Sequence, residues 1–170
     1  MSMEQRFSGQ IMQRDVDPAA RQATLGEIGI NQFAPYLMNR IMERWNDNLA
    51  EALKLHNMST TMMRALAVLS ISSPVTINEL SAYAVTEQST MSRTLDILEA
   101  QGLVRRQRRA EDMRIRDVSI TEEGRAAFER VWPTMHARFQ TLFDGVEEEE
   151  YRAFTATLLR ILRNVAKLPE

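Results

Sequence analysis

Apolar residues recur with helical spacing from Asn31 to about Leu55, at Phe33, Leu37, Ile41, Trp45, Leu49 and Leu53. That period predicts a long amphipathic helix, ended by His56-Asn57. Ser59 reads as the N-cap of a second helix carrying Met62, Met63, Leu66 and Leu69, stopped by Ser72-Ser73-Pro74. Thr76-Ile77-Asn78-Glu79 has the Thr-x-x-Glu spacing of a capping box and opens a short helix that should bury Ile77, Leu80 and Ala84. Thr86 is the expected cap of the next helix, Glu87 to Gln101, which Gly102 ends in a left-handed C-cap position. Its inner face is Met91, Leu95 and Leu98. Two strand-like segments follow, Leu103–Arg108 and about Ile115–Ile120, joined by the polar tip Arg109 to Met113. Thr121 caps a long helix with Glu122 and Glu123 in its first turn, where negative charge suits the helix dipole. Pro133 falls inside that helix and should kink it. A last helix begins in the acidic run Glu147–Glu150 and presents Tyr151, Phe154, Leu158, Ile161, Leu162 and Val165 on one side.

The predicted fold class is therefore mainly α with a small β-hairpin (α+β). Residues 1–28 show no period; Pro18 and Gly26 break any helix there, and the segment reads equally as a wrapping arm or a disordered tail. The chain lacks cysteine and has only His56 and His136, which argues against disulfides, thiol redox chemistry and a metal centre. No nucleophile–base pairing, glycine-rich phosphate loop or metal motif suggests an enzyme, and no cofactor is expected. No apolar run reaches membrane-spanning length and no signal peptide is evident, so no membrane partner and a cytoplasmic location are expected.

Charge changes the picture more than composition does. The net charge is -2, yet residues 102–116 hold six arginines and two acids, so that segment is +4 on a body of -6. A concentrated basic patch on an acidic chain is the footprint of a nucleic-acid binder. Two helices with a tight connection followed by a basic hairpin make a winged helix-turn-helix. The second helix must offer small polar and cationic groups to base edges in the major groove; Gln88, Ser89, Thr90, Ser92 and Arg93 can do so. The hairpin must be thin and cationic to follow the backbone or the minor groove, as Arg109, Arg114 and Arg116 permit. The hydroxyls of Ser59, Thr60 and Thr76 lie at helix starts, where free N–H groups attract phosphate.

The wing segment Asp112-Met113-Arg114, followed by Ile120-Thr121-Glu122-Glu123-Gly124, resembles the D-x-R…L-T-x-x-G signature of the MarR family of bacterial regulators, with Ile120 at the usual leucine. Residues Thr90 to Val104 resemble that family's recognition helix and its exit, and the likeness runs from about residue 31 to 166. The resemblance implies a dimer built from the terminal helices, Arg114 in a minor groove, and Asp112 bracing the wing through Arg106. It also implies a small-molecule effector lodged near Asn39, Met42, Trp45, His56, Met62 and Met63. The arm at 1–28 and Pro133 depart from the pattern.

The domain organisation expected is an arm at 1–28, a helical dimerisation region at 29–57 and 125–170, and a winged helix-turn-helix at 58–124. The expected partners are double-stranded DNA, a second copy of the chain and an effector. The expected function is a DNA-binding regulator, a ligand-responsive repressor acting as a homodimer on an inverted-repeat operator. The alternative is a dimeric small-molecule-binding protein for which DNA contact is incidental.

Overall fold

A computed structural model describes residues 26, 29–108 and 116–166 of the chain. The arm expected at 1–28 lies almost wholly outside the described residues, as does the wing tip from Arg109 to Ile115. The chain divides into two units, Met1–Leu55 and His56–Glu170.

In the first unit a 3-10 turn, Ile30–Gln32, leads into helix α1, Ala34–Lys54. Pro35 sits in the first turn of α1, where its missing N–H costs nothing, and Lys54 in the last turn suits the negative end of the dipole. The buried side chains of α1 are Leu49, Ala52 and Leu53, all toward its C-terminus, whereas Ile41 and Met42 remain exposed.

The second unit begins with α2, Thr60–Ile71, capped as expected by Ser59, whose hydroxyl accepts the Met62 N–H at 3.1 Å. Strand β1, Val75–Thr76, and helix α3, Ile77–Tyr83, follow. Thr76 and Glu79 form the full capping box: the Thr76 hydroxyl accepts the Glu79 N–H, and the Glu79 carboxylate accepts the Thr76 N–H at 2.8 Å. Helix α4 spans Gln88–Ala100, then β2, Val104–Arg108, and β3, Arg116–Ile120. The sheet has three antiparallel strands in the order β1-β3-β2, with Val75 opposite Val118 and Val104 opposite Ile120. Strand β1 was not expected from the sequence, because two residues are too few to display alternation. Its pairing makes β3 the central strand, and the Ser73 hydroxyl accepts the Ile120 N–H at 3.1 Å.

The core of this unit is aliphatic. Leu66, Leu69, Leu80, Met91, Leu95, Leu98 and Val118 are wholly withdrawn from solvent. Each such side chain contributes about 1.5–3 kcal/mol relative to exposure. No buried side-chain polar atom among the described residues lacks a partner.

Two corrections concern the start of α4. Its N-cap is Glu87 rather than Thr86, and Glu87 makes no side-chain cap bond. The Thr86 hydroxyl instead donates to the Ala84 carbonyl at 3.1 Å, which holds the turn between α3 and α4. In that turn Val85 is left-handed at φ 49° and its side chain is exposed. A β-branched residue is poorly suited to that region, because its Cβ crowds the following carbonyl.

The exit of α4 follows expectation. Gly102 adopts φ 73°, its N–H donates to the Glu99 carbonyl, and the Leu103 N–H donates to the Leu98 carbonyl. This is the double closure of a Schellman C-cap. Helix α5, Glu122–Leu142, starts beside it. The Thr121 hydroxyl accepts the Gly124 N–H and donates to the Gly102 carbonyl at 2.7 Å, while the Thr121 N–H donates to the Leu103 carbonyl at 3.1 Å. A Cβ on Gly124 would lie 2.0 Å from the Leu103 oxygen. The Arg125 guanidinium reaches the Ser70 carbonyl at 3.3 Å and ties α5 to the end of α2.

Helix α5 continues through Pro133 to Leu142. Helix α6, Glu148–Val165, opens with a capping box between Glu147 and Glu150. Aromatic rings join the two: Tyr151 meets Phe139 and Phe143 edge-on, at centroid separations of 5.9 and 4.8 Å. No residue of α6 is buried, and Phe154, Leu159, Leu162 and Val165 are all exposed.

Two stability outcomes follow from these junctions. Gly124→Ala should destabilise the chain by about 2–3 kcal/mol, because the methyl collides with backbone rather than with a movable side chain. Thermal unfolding measures it; an unchanged midpoint would mean that α5 does not pack against Leu103 as described. Val85→Asn should stabilise by about 1 kcal/mol, since Asn tolerates the left-handed region. Denaturant titration measures that gain, and a loss would show that the Val85 side chain has a compensating role.

Candidate nucleic-acid interface

Helix α4 is divided lengthwise by burial. Met91, Thr94, Leu95 and Leu98 face the core, and Gln88, Ser89, Thr90 and Arg93 are exposed, with Ser92 half-buried at the edge. The Thr94 hydroxyl is satisfied by the Thr90 carbonyl at 2.9 Å, which lets a polar residue sit on the inner face. Because Glu87 supplies no side-chain cap, the first amides of α4 carry no side-chain acceptor. They add a partial positive charge to the exposed polar face. Gln88 is partly committed: its amide donates to Asn78 of α3 at 2.8 Å and fixes the two helices of the helix-turn-helix to each other. Asn78 had not been singled out from the sequence; a polar pair ten residues apart has no local signature.

The basic hairpin lies directly after α4. Arg105, Arg108 and Arg116 are exposed, and Arg108 pairs with Arg116 across β2 and β3. Two arginines directly opposite repel each other, which a structural hairpin would avoid and an anionic partner would relieve. Arg109, Asp112 and Arg114 lie outside the described residues, so the expected bracing by Asp112 falls there too.

Arg106, although part of the basic segment, is turned toward α4. Its side chain is 17% exposed and its guanidinium is held by two carboxylates of α4: Asp96 at 2.8 Å and Glu99, to which the Nε–H donates at 2.8 Å. The Arg106 backbone N–H also donates to Glu99, at 2.9 Å. The hydrogen bond from Arg106 holds the Glu99 carboxyl below its ordinary range, against a smaller opposing effect of burial. Glu99 pushes the Arg106 guanidinium up in turn. Glu99 was not named among the candidate residues, although Asp96 and Glu99 lie one helical turn apart and are followed by an arginine on the next strand.

The helix-start hydroxyls also differ in availability. Thr76 both accepts from and donates to Glu79, so its hydroxyl is spent on the capping box. Ser59 uses its oxygen as an acceptor and is exposed, with Thr60 half-buried beside it. Among the residues expected near an effector, Asn39 and Met42 are exposed and Trp45 half-buried in the first unit. In the second unit His56 is exposed, and Met62 and Met63 are buried. No group of three or more His, Asp or Glu among the described residues could hold a metal, and no described helix is long and apolar enough to cross a membrane.

Comparison with known proteins agrees with this arrangement. Residues 56–115 match the family model described as MarR family. A MarR-family transcriptional regulator of Silicibacter pomeroyi has a crystal structure similar to this chain, with 44% sequence identity, a TM-score of 0.79, and coverage of 87% of this chain and 100% of that one. A second MarR-family regulator of the same organism is similar at 30% identity and a TM-score of 0.74, over 88% of this chain and 99% of that one. The HTH-type transcriptional repressor IacR of Pseudomonas putida is 27% identical over 89% of this chain and 88% of its own length. The helix-turn-helix, the three-stranded wing and these likenesses together establish that the chain belongs to the MarR family of transcriptional regulators.

Proposed function

We propose that the chain acts as a homodimeric, effector-responsive repressor that binds an inverted-repeat operator. The observation that carries this reading is the lengthwise division of α4. Its apolar face is spent on the core, so Ser89, Thr90 and Arg93 are free for base edges, next to exposed Arg105, Arg108 and Arg116. Hydroxyls and guanidinium are the groups that read the major groove, and clustered arginines supply the phosphate attraction. The winged helix-turn-helix at 58–124 is the DNA-binding part, with Arg114 of the wing reaching a minor groove and Arg109 and Arg116 following the backbone or that groove. Operation on DNA assigns the chain to the cytoplasm.

The dimer belongs to the helical regions at 29–57 and 125–170. The exposed stripe of Phe154, Leu162 and Val165 on α6, with half-exposed Trp132 on α5, supports this part of the proposal. A two-fold interface buries such a stripe against its own copy. Repression is favoured by the likeness to IacR, a protein named as a repressor. Effector response is carried by the family resemblance.

Light scattering at low micromolar concentration should give twice the 19.6 kDa chain mass. A stable monomer would overturn the dimer. On operator DNA, with half-sites about 10 base pairs apart centre to centre, Arg93→Ala should cost about 1–3 kcal/mol per half-site and relax sequence preference. Arg114→Ala should weaken operator and unrelated DNA alike and reduce the salt dependence of binding. Fluorescence anisotropy separates the two, and an Arg93→Ala protein with undiminished preference would remove Arg93 from base reading.

A further inference from the structure

The Schellman turn at Gly102 joins α4 to β2 only at the C-terminal end of the helix. A hinge there would let the helix and the wing approach DNA independently. Arg106, the third residue of β2, closes the gap: Asp96 and Glu99 are separated by one turn of α4, and both carboxylates meet the same guanidinium. Nε and one terminal nitrogen bond Glu99 while the other terminal nitrogen reaches Asp96, so the planar fork engages both carboxylates in a fixed geometry. The backbone N–H of the same residue adds a third link to Glu99. Arg116 on β3 contributes a further attraction to Glu99.

The charges matter as well as the geometry. Helix α4 carries one arginine, Arg93, against Asp96 and Glu99. Left unpaired, the two carboxylates would oppose the approach of a polyanion to the helix. Arg106 offsets them without itself facing solvent, because its side chain is only 17% exposed.

We propose that Arg106 is a positioning residue for DNA recognition: it makes the recognition helix and the wing one rigid reading body and screens Asp96 and Glu99 from the duplex. This rests on the operator-binding reading above. It differs from a phosphate contact in a measurable way. A cation that neutralises a phosphate releases counterions, so its loss lowers the slope of log affinity against log salt by about 0.9 per contact, twice that in a dimer. A positioning residue releases none, and its loss weakens binding with the slope retained.

The test is anisotropy on operator and unrelated duplexes over a series of salt concentrations, with wild type, Arg106→Gln, Glu99→Gln and the exchanged pair Glu99→Arg with Arg106→Glu. Circular dichroism and thermal unfolding accompany each protein. The expected result is a loss of operator affinity of about tenfold or more for Arg106→Gln, a slope equal to wild type, and recovery of part of the affinity in the exchanged pair. Glu99→Gln, which keeps a neutral acceptor at the half-exposed position, should lose less and remain folded. It serves as the deciding variant where Arg106→Gln unfolds. A slope reduced by about 1.8 in Arg106→Gln would identify Arg106 as a phosphate contact and overturn the proposal. Undiminished affinity in folded Arg106→Gln or, if that protein unfolds, in Glu99→Gln would overturn it too, with the operator-binding reading left standing. Wild type without preference for any duplex would instead overturn the operator-binding reading, and the proposal with it.

Discussion

The backbone around Leu103 is the constraint on which the winged helix-turn-helix depends. Its N–H closes the C-terminus of α4 on the Leu98 carbonyl, and its own carbonyl receives the Thr121 N–H. One residue thus ends α4, leads into β2 and seats the first turn of α5. The approach is close enough that position 124 has no room for a side chain. The threonine and glycine of the family signature are therefore backbone devices. Thr121 bridges the Gly102 carbonyl and the Gly124 N–H, and glycine permits the contact between helix and turn.

From that junction the exposure of the polar face of α4 follows. Met91, Leu95 and Leu98 are drawn completely into the core by the hydrophobic effect, with Leu66, Leu69 and Leu80 around them. A helix fixed along one face has no rotational freedom, so Ser89, Thr90 and Arg93 are held outward. Gln88 and Asn78 fix the helix pair, and Arg106 fixes the wing to the helix. Orientation of the polar groups is thus decided by apolar packing and a few internal polar ties, before any ligand is met. Such preorganisation lowers the ordering cost of binding.

The helical part obeys a different balance. The rings of Phe139, Phe143 and Tyr151 pack at the turn between α5 and α6, yet the length of α6 buries nothing. Its acidic first turn and its capping box stabilise the helix locally. The apolar stripe beyond them exceeds what local structure requires.

Much of this was legible from the residues alone. The period of α1, the capping box at Thr76, the helix start in the 147–150 acidic run, the Gly102 C-cap and the inner face of α4 depend on interactions within a few positions of each other. So does the basic segment at 102–116, because charge adds along the chain. Tertiary structure decided what depends on distant partners. Strand β1 exists because Val75 meets Val118. The Gln88 amide meets Asn78 ten residues away, a pair with no local signature. Arg106 and its neighbours on β2 and β3 are indistinguishable in composition, and only the fold separates them. Alternation along β2 turns Arg106 away from the face of Arg105 and toward two carboxylates on α4, where paired charge lets its guanidinium leave most of its solvent, whereas Arg108 and Arg116, nearer the wing tip on the same face as Arg106, stay exposed.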